Sequence, residues 1–221
     1  LEQAIALHQE LGIQSGVAWW SANLGWARLQ LGQYDRARQL LENSLSLARE
    51  IKHERGVGAS LNFLGLVCYG MGDPHRANQL LSQGVEKFRQ INQPTDYARA
   101  LAILGITWRA LGEATKAWQI ACESLALASE IDIWMALVNS LPLFAVLLVD
   151  RGHVERAVEL YAMLRYYPYS RSPFQENTFG RVVDAAAASL PAEVAAAAQA
   201  RGQSLDIHET ARELVKEFVN V

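Results

Sequence analysis

The chain has 221 residues, 51% of them apolar, which is enough for a sizeable core, and a formal net charge of −3. That balance, with 16 arginines and 4 lysines scattered rather than clustered, argues against a non-specific nucleic-acid or membrane surface. Strand signals are nearly absent, and the sequence shows no secretory h-region and no apolar run of membrane length, which argues against a strand-built fold and a spanning segment.

In chain order, residues 1–13 read as a helix whose partner is missing. Set back by 40, Ala4 falls where Ser44, Gly84 and Ser124 fall, late in a second helix. Since Leu1 is also not a methionine, the chain is expected to be a piece of a longer protein. Residues 14–53 form a first helical hairpin. Its helices are predicted over 15–31, with Ser15 as cap, and over 34–51. Residues 54–93 form the second, over 55–71 and 74–91. There Asp73 caps and Pro74 takes the first helical position, where no donor is needed. Residues 94–132 form the third, over 95–111 and 114–130. Residues 133–165 form a fourth, atypical one, because Pro142 lies inside its first helix. An interior proline costs about 3 kcal/mol and predicts either a kink or a later start. Residues 166–221 begin with RYYPYSRSPF, read as a loop, followed by three short helical stretches separated by Pro191 and Gly202.

One spacing ties the hairpins together. Leu24-Gly25 recurs as Leu64-Gly65, Leu104-Gly105 and the weaker Phe144-Ala145. Gly32 recurs as Gly72, Gly112 and Gly152, and Ala37 as Ala77, Ala117 and Ala157, always in steps of 40. A fixed period of this size marks a repeat architecture. Gly32 stands where a helix must stop and reverse, and glycine takes the left-handed cap without steric cost. The small residues at Gly25 and Ala37 let two helices approach closely. Such a hairpin cannot bury its apolar faces alone, but stacked on neighbours it can.

The order NLG…LGQYDRA…S, with FLG…MGDPHRA…G, ILG…LGEATKA…S and LFA…RGHVERA…L, resembles the tetratricopeptide repeat over about three quarters of the chain. The resemblance implies an all-α fold, a right-handed superhelix of antiparallel hairpins forming one α-solenoid domain. The segment LPAEVAAAAQARGQSLDIHETARELV carries a second resemblance. It looks like the end of the repeat domain in bacterial STAND signal-transduction ATPases, the maltose-regulator-like and LuxR-type transcriptional regulators. The matching elements are Glu193 to Ala200, Gly202, and Leu205 to Val215. No helix-turn-helix follows before Val221. This implies a cytoplasmic sensor module whose parent carries an ATPase domain upstream, with an intramolecular contact between the two.

Catalytic patterns are weak. RGVGAS, residues 55–60, has no lysine and no preceding strand, so no phosphate loop is read there. His208-Glu209 lacks a second histidine four residues on, where Arg212 stands, so no helical zinc site is expected. Cys68 and Cys122 read as small buried apolar residues of a reducing compartment. No enzyme activity, cofactor or metal is expected for the chain itself.

Surface remains. The first helices of stacked hairpins line the concave side. Counting along the repeat puts Trp19, Trp26, Asn62, Leu66, Tyr69, Arg99, Ile106, Arg109 and Asn139 on that face, with Ala22, Leu29 and Val146 beside them. Aromatic residues and arginines dominate binding hot spots. The expectation is a groove for a protein, peptide or small-molecule effector, with Arg99 and Arg109 available to a carboxylate. Two other readings stay open: the tryptophans are core, or the tail after Arg165 fills the groove. Trp108, Trp118 and Trp134 are expected in the core. A scaffold joining partners without a switch would suit the repeats equally.

Overall fold

The computed structural model describes residues 1–219, and of Tyr169 the backbone only. It contains helices and no strand among these residues. After α1 (Glu2–Glu10) come α2 (Gln14–Gln30) with α3 (Tyr34–Glu50), α4 (Glu54–Gly70) with α5 (Pro74–Gln90), α6 (Pro94–Ala110) with α7 (Ala114–Ile131), and α8 (Trp134–Asp150) with α9 (Val154–Leu164). The tail holds a 3₁₀ turn (Pro168–Arg171), α10 (Pro173–Gln175), a π-turn (Glu176–Gly180), α11 (Arg181–Ala187), α12 (Ala192–Gly202), α13 (Ile207–Leu214) and a second π-turn (Val215–Val219).

The turn glycines behave as the spacing predicts: Gly32, Gly72, Gly112 and Gly152 all have positive φ, between 73° and 86°. The links between hairpins use the same left-handed geometry without glycine, at Lys52, Asn92 and Asp132. A left-handed side-chain-bearing residue costs about 1–2 kcal/mol, so the stacking on both sides holds these links in place. At the close approaches, a Cβ added to Gly25 would lie 2.6 Å from Leu41 Cγ, and one added to Gly65 would lie 2.5 Å from Leu81 Cγ. Ala37, Ala77, Ala117 and Ala157 are fully buried. Two serine bridges tie hairpins to their successors. Ser44 Oγ donates to Ala18 O at 2.7 Å and lies 2.9 Å from Ser60 Oγ. Eighty residues on, Ser124 repeats both contacts with Ala98 and Ser140. In the hairpin between them Gly84 stands at that position, where an added Cβ would lie 3.2 Å from Gly58 O and 3.4 Å from Asn62 N.

Three local expectations change. Ser15 is not a cap: α2 starts at Gln14, with Ile13 as N-cap and no side-chain cap bond. Asp73, by contrast, accepts from Arg76 N at 2.9 Å as expected. Helix α8 runs uninterrupted through the buried Pro142, and starts at Trp134 rather than later. The 166–180 segment is not a plain loop; it alternates short 3₁₀, α and π turns.

First helices of neighbouring repeats pack on one another (α2 on α4, α4 on α6, α6 on α8), whereas second helices have no comparable mutual contact. The solenoid therefore curves with α2, α4, α6 and α8 on its inner side. Two apolar clusters fill it, one centred on α2–α5 and the other on α7–α9 with the tail.

Candidate interaction surface

The inner side carries a connected row of rings and charges. The Arg55 guanidinium lies 4.4 Å from the centre of the Trp19 ring, and its Nε donates to Asp96 at 2.8 Å. Asp96, only 5% exposed, also accepts from Arg99 at 2.8 Å. Arg99 in turn lies 5.2 Å from the Phe63 ring, which sits 6.3 Å from Trp26. A buried carboxylate needs this pairing, because an isolated one is strongly disfavoured away from water.

The residues picked from the sequence separate into groups. Trp19, Trp26 and Arg99 belong to this row and are half-buried. Tyr69 and Arg109 lie one step along. Burial pushes the Tyr69 hydroxyl up, opposed by the nearby Arg109. Arg109 is held by Asp150 in a two-pronged bond of 2.6 and 2.8 Å, which raises its pKa. Both arginines offered to an incoming carboxylate thus hold one from their own chain. Asn62, Leu66 and Ile106 are in the interior, at 6% exposure or less. Asn139 turns its amide onto Met135 O at 2.6 Å. Arg55, Phe63 and Asp96 were missed. Their signal was in the period, since positions 55, 56 and 63 of one repeat correspond to Thr95, Asp96 and Ile103 of the next, and the count along the helix skipped those columns. Trp108 and Trp118 are partly buried, but Trp134 is not core: it is 45% exposed and stacks on Tyr167, ring centres 6.3 Å apart and 14° from parallel.

The inner side is not open. The 168–180 segment crosses it as a strap. Ser172 Oγ donates to Gln30 Oε1 of α2 at 2.5 Å, a contact between residues 142 apart in sequence. Phe174, 3% exposed, joins the N-terminal apolar cluster that holds Leu29, Phe63 and Leu66. Trp19 and Trp26 pack, partly buried, against this same cluster. At the strap's base, Arg165 pairs with Asp184 at 2.7 Å and Glu176 at 3.3 Å, and accepts Arg171 Nε on its carbonyl at 2.5 Å. The seat is imperfectly satisfied. Among the described residues, Gln30 Nε2, Ser170 Oγ and Gln175 Oε1 are buried there without a hydrogen-bond partner, as are both polar atoms of Asn62. An unmade bond of this kind costs about 1–3 kcal/mol.

No group of three or more metal-ligating side chains that could hold an ion occurs among the described residues. Both thiols are free and half-buried, and burial raises each of them, which disfavours the nucleophilic thiolate. Among the described residues no helix is long and apolar enough to cross a membrane.

Residues 27–90 match the family model of the tetratricopeptide repeat, a repeat that generally mediates protein–protein interaction on a typically non-catalytic scaffold. No curated protein matches the chain. Among solved structures, it is similar to a kinesin-light-chain-type protein of Podosopora anserina with nearly identical TPR-like repeats. The identity is 17% and the TM-score 0.54, with 94% of this chain and 98% of that chain covered. At that identity the likeness shows the fold alone: an all-α, tetratricopeptide-like solenoid.

Proposed function

We propose that this chain is a non-catalytic protein-binding module whose concave face is held shut by its own 168–180 strap, and that a partner's peptide segment takes the strap's place. The observation that supports the reading is Phe174. It is an aromatic anchor, delivered in a short irregular segment and buried in the apolar cluster that includes Phe63 and against which Trp19 and Trp26 pack. Anchors of that kind in pockets of that composition carry most of the energy of peptide recognition. The orphaned polar atoms at Gln30, Ser170 and Gln175 make the strap a poorer occupant than a fully bonded segment would be.

The likeness of residues 190–215 to the end of STAND-type repeat domains supports the narrower reading. There the module is the sensor of a larger bacterial signalling ATPase or transcriptional regulator, works in the cytoplasm, contacts its ATPase domain within the chain, and shifts between strapped and released states. An effector moves that balance only by the difference in its affinity for the two states. A coding sequence that runs upstream without a phosphate-binding loop would remove this narrower reading and leave a scaffold.

The test uses a labelled synthetic peptide of residues 168–180. The wild-type chain, whose strap competes from within, should bind it weakly. A Ser172→Ala, Phe174→Ala variant should bind it at least tenfold more tightly, and adding Trp26→Ala to that variant should lower the affinity again. Equal affinity in all three proteins would sink the concave-face assignment.

A further inference from the structure

The outer side of the solenoid has one groove per repeat, formed by two successive second helices with the first helix between them as floor. Position by position, the grooves differ in what fills them. Over α8, between α7 and α9, lies the chain's own C-terminal helix. Its apolar stripe Ile207, Ala211, Leu214 and Phe218 recurs at i, i+4, i+7 and i+11. Phe218 packs edge-on against Phe144 and Trp118, ring centres 5.9 and 6.1 Å apart. Charges pin it at both ends. Asp132 takes His208 at 2.7 Å and Arg212 at 3.4 Å, and Arg156 donates to Glu213 at 3.1 Å. The floor is sealed: Leu137, Leu141, Phe144 and Leu148 are all at 0% exposure.

The other grooves are closed by different means, with one exception. Over α2, Arg28 reaches Glu2 of α1 at 2.8 Å. Over α6, Tyr97 spans the gap to Glu123 at 2.7 Å, and Trp108 fills it beneath Lys116. Over α4, the matching positions are Val57 and Cys68. These short side chains leave a cavity of about 600 Å³ that continues into one of about 260 Å³. Its floor residues Val57, Leu61 and Leu64 keep 3–8% exposure where their counterparts under the C-terminal helix keep none.

Two charges around this groove correspond to those that hold the filled one, one of them with its sign reversed; the lining also carries Glu42, Glu54 and Glu86, of which Glu54 is paired with Lys87 at 2.6 Å and Glu86 with Arg89 at 2.8 Å. Arg76 stands where Arg156 stands, 80 residues on. Arg156 is shared between Glu213 and its own Glu159, but the Arg76 guanidinium meets, among the described residues, only the neutral Gln79, at 3.2 Å. Lys52 stands where Asp132 stands, with the same left-handed backbone. The side chain of Arg49 lines both cavities, and its guanidinium makes no hydrogen bond or ion pair among the described residues.

We propose that the groove between α3 and α5 is a second binding site, and that its occupant is an acidic amphipathic helix of a partner protein. The helix lies as α13 lies over α8. Apolar residues at i, i+4, i+7 and i+11 rest on Val57, Leu61, Leu64 and Cys68. Acidic residues at both ends meet Lys52 and Arg76. The groove runs about 17 Å from Val57 to Cys68, the length of three helical turns, so one short helix spans it. A helix laid by its apolar face into a groove is an established mode of recognition.

The probe is a fluorescent peptide of residues 205–219 carrying His208→Glu and Arg212→Glu, titrated into the full chain. Binding to the wild type is expected, at least tenfold tighter than for the same peptide without the two changes. A Val57→Tyr, Cys68→Trp variant installs the residues that the next repeat already carries there, and should lose binding at least tenfold. Arg76→Glu, on the exposed surface and harmless to folding, should do the same. Phe174→Ala should leave the affinity unchanged, which separates this site from the concave one. Equal binding by the wild type, the filled variant and Arg76→Glu would overturn the proposal, as would no binding by the wild type. Concentration-dependent self-association of the wild type that the filled variant abolishes would overturn the partner-helix assignment in favour of a second copy.

Discussion

At the residue scale, together with the column of Cys68, the repeat column that contains Val57 decides whether an outer groove is open. Tyr97 occupies that column in the third repeat, and its hydroxyl donates to Glu123. Burial first, and the bond to Glu123 second, push its pKa up to about 12. A tyrosine in an unfolded chain titrates near 10. The folded state therefore holds this proton more tightly. Its contribution is complete below pH 10, and is lost as pH rises from 10 to about 12. Other tyrosines, Tyr161 among them, are shifted the same way, so the informative quantity is a difference. Urea unfolding of the wild type and of Tyr97→Phe, repeated from pH 8 to 11, should show the stability gap narrowing above pH 10. A gap constant across that range would mean that the hydroxyl keeps no tighter hold on its proton than in the unfolded chain.

At the scale of elements, the second helices and the tail were unequally legible. The 40-residue spacing marked the reversals at Gly32, Gly72, Gly112 and Gly152, because only one residue type takes that backbone cheaply. It could not mark Lys52, Asn92 and Asp132. There a left-handed residue is imposed by stacking on both sides, which is a tertiary effect. Pro142 looked like a break because local propensity disfavours it, yet packing on every side keeps α8 whole. The tail was hardest, since its segments follow no period. Alanine-rich α12 packs closely on α9, with Gly202 against the Glu159 carbonyl, and α13 shows its role only once α7, α8 and α9 are in place beneath it. The candidate site followed the same division. The aromatic row was half visible in Trp19, Trp26 and Arg99, while Asp96, which orders two of its arginines, read as a first-turn acid like any other. The docked C-terminal helix can be tested at this scale. Phe218→Ala removes a half-buried ring touching Trp118, Phe144 and His153, and should cost about 2 kcal/mol in chemical denaturation. Hydrogen exchange should rise along α13 while α2–α5 stay protected. If α2–α5 exchanged equally faster, the helix would be coupled to the whole chain and not docked locally.

At the scale of the whole molecule, a solenoid is built from neighbours, and its halves are expected to unfold with limited knowledge of each other. The strap changes this. Phe174 belongs to the C-terminal tail by sequence and to the N-terminal cluster by packing. Removing it should loosen the coupling. Phe174→Ala should lower the N-terminal half's stability by about 3 kcal/mol, and should split a single thermal transition into two. Calorimetry is the direct measurement. One unsplit transition at a uniformly lower temperature would show that the shared interface of α5 and α6 couples the halves without help.

The bond from Ser172 to Gln30 also sets a timetable during synthesis. Residues 14–90 can stack as soon as they emerge, since every contact they need lies within one or two repeats. Phe174 leaves the ribosome 84 residues after Gln90, and at roughly 5–20 residues per second that delay is on the order of ten seconds. Through that interval the nascent chain presents Trp26, Phe63 and Leu66 without the strap. A partner or chaperone present at the ribosome thus reaches this face before the strap has been made, and meets no competitor for it.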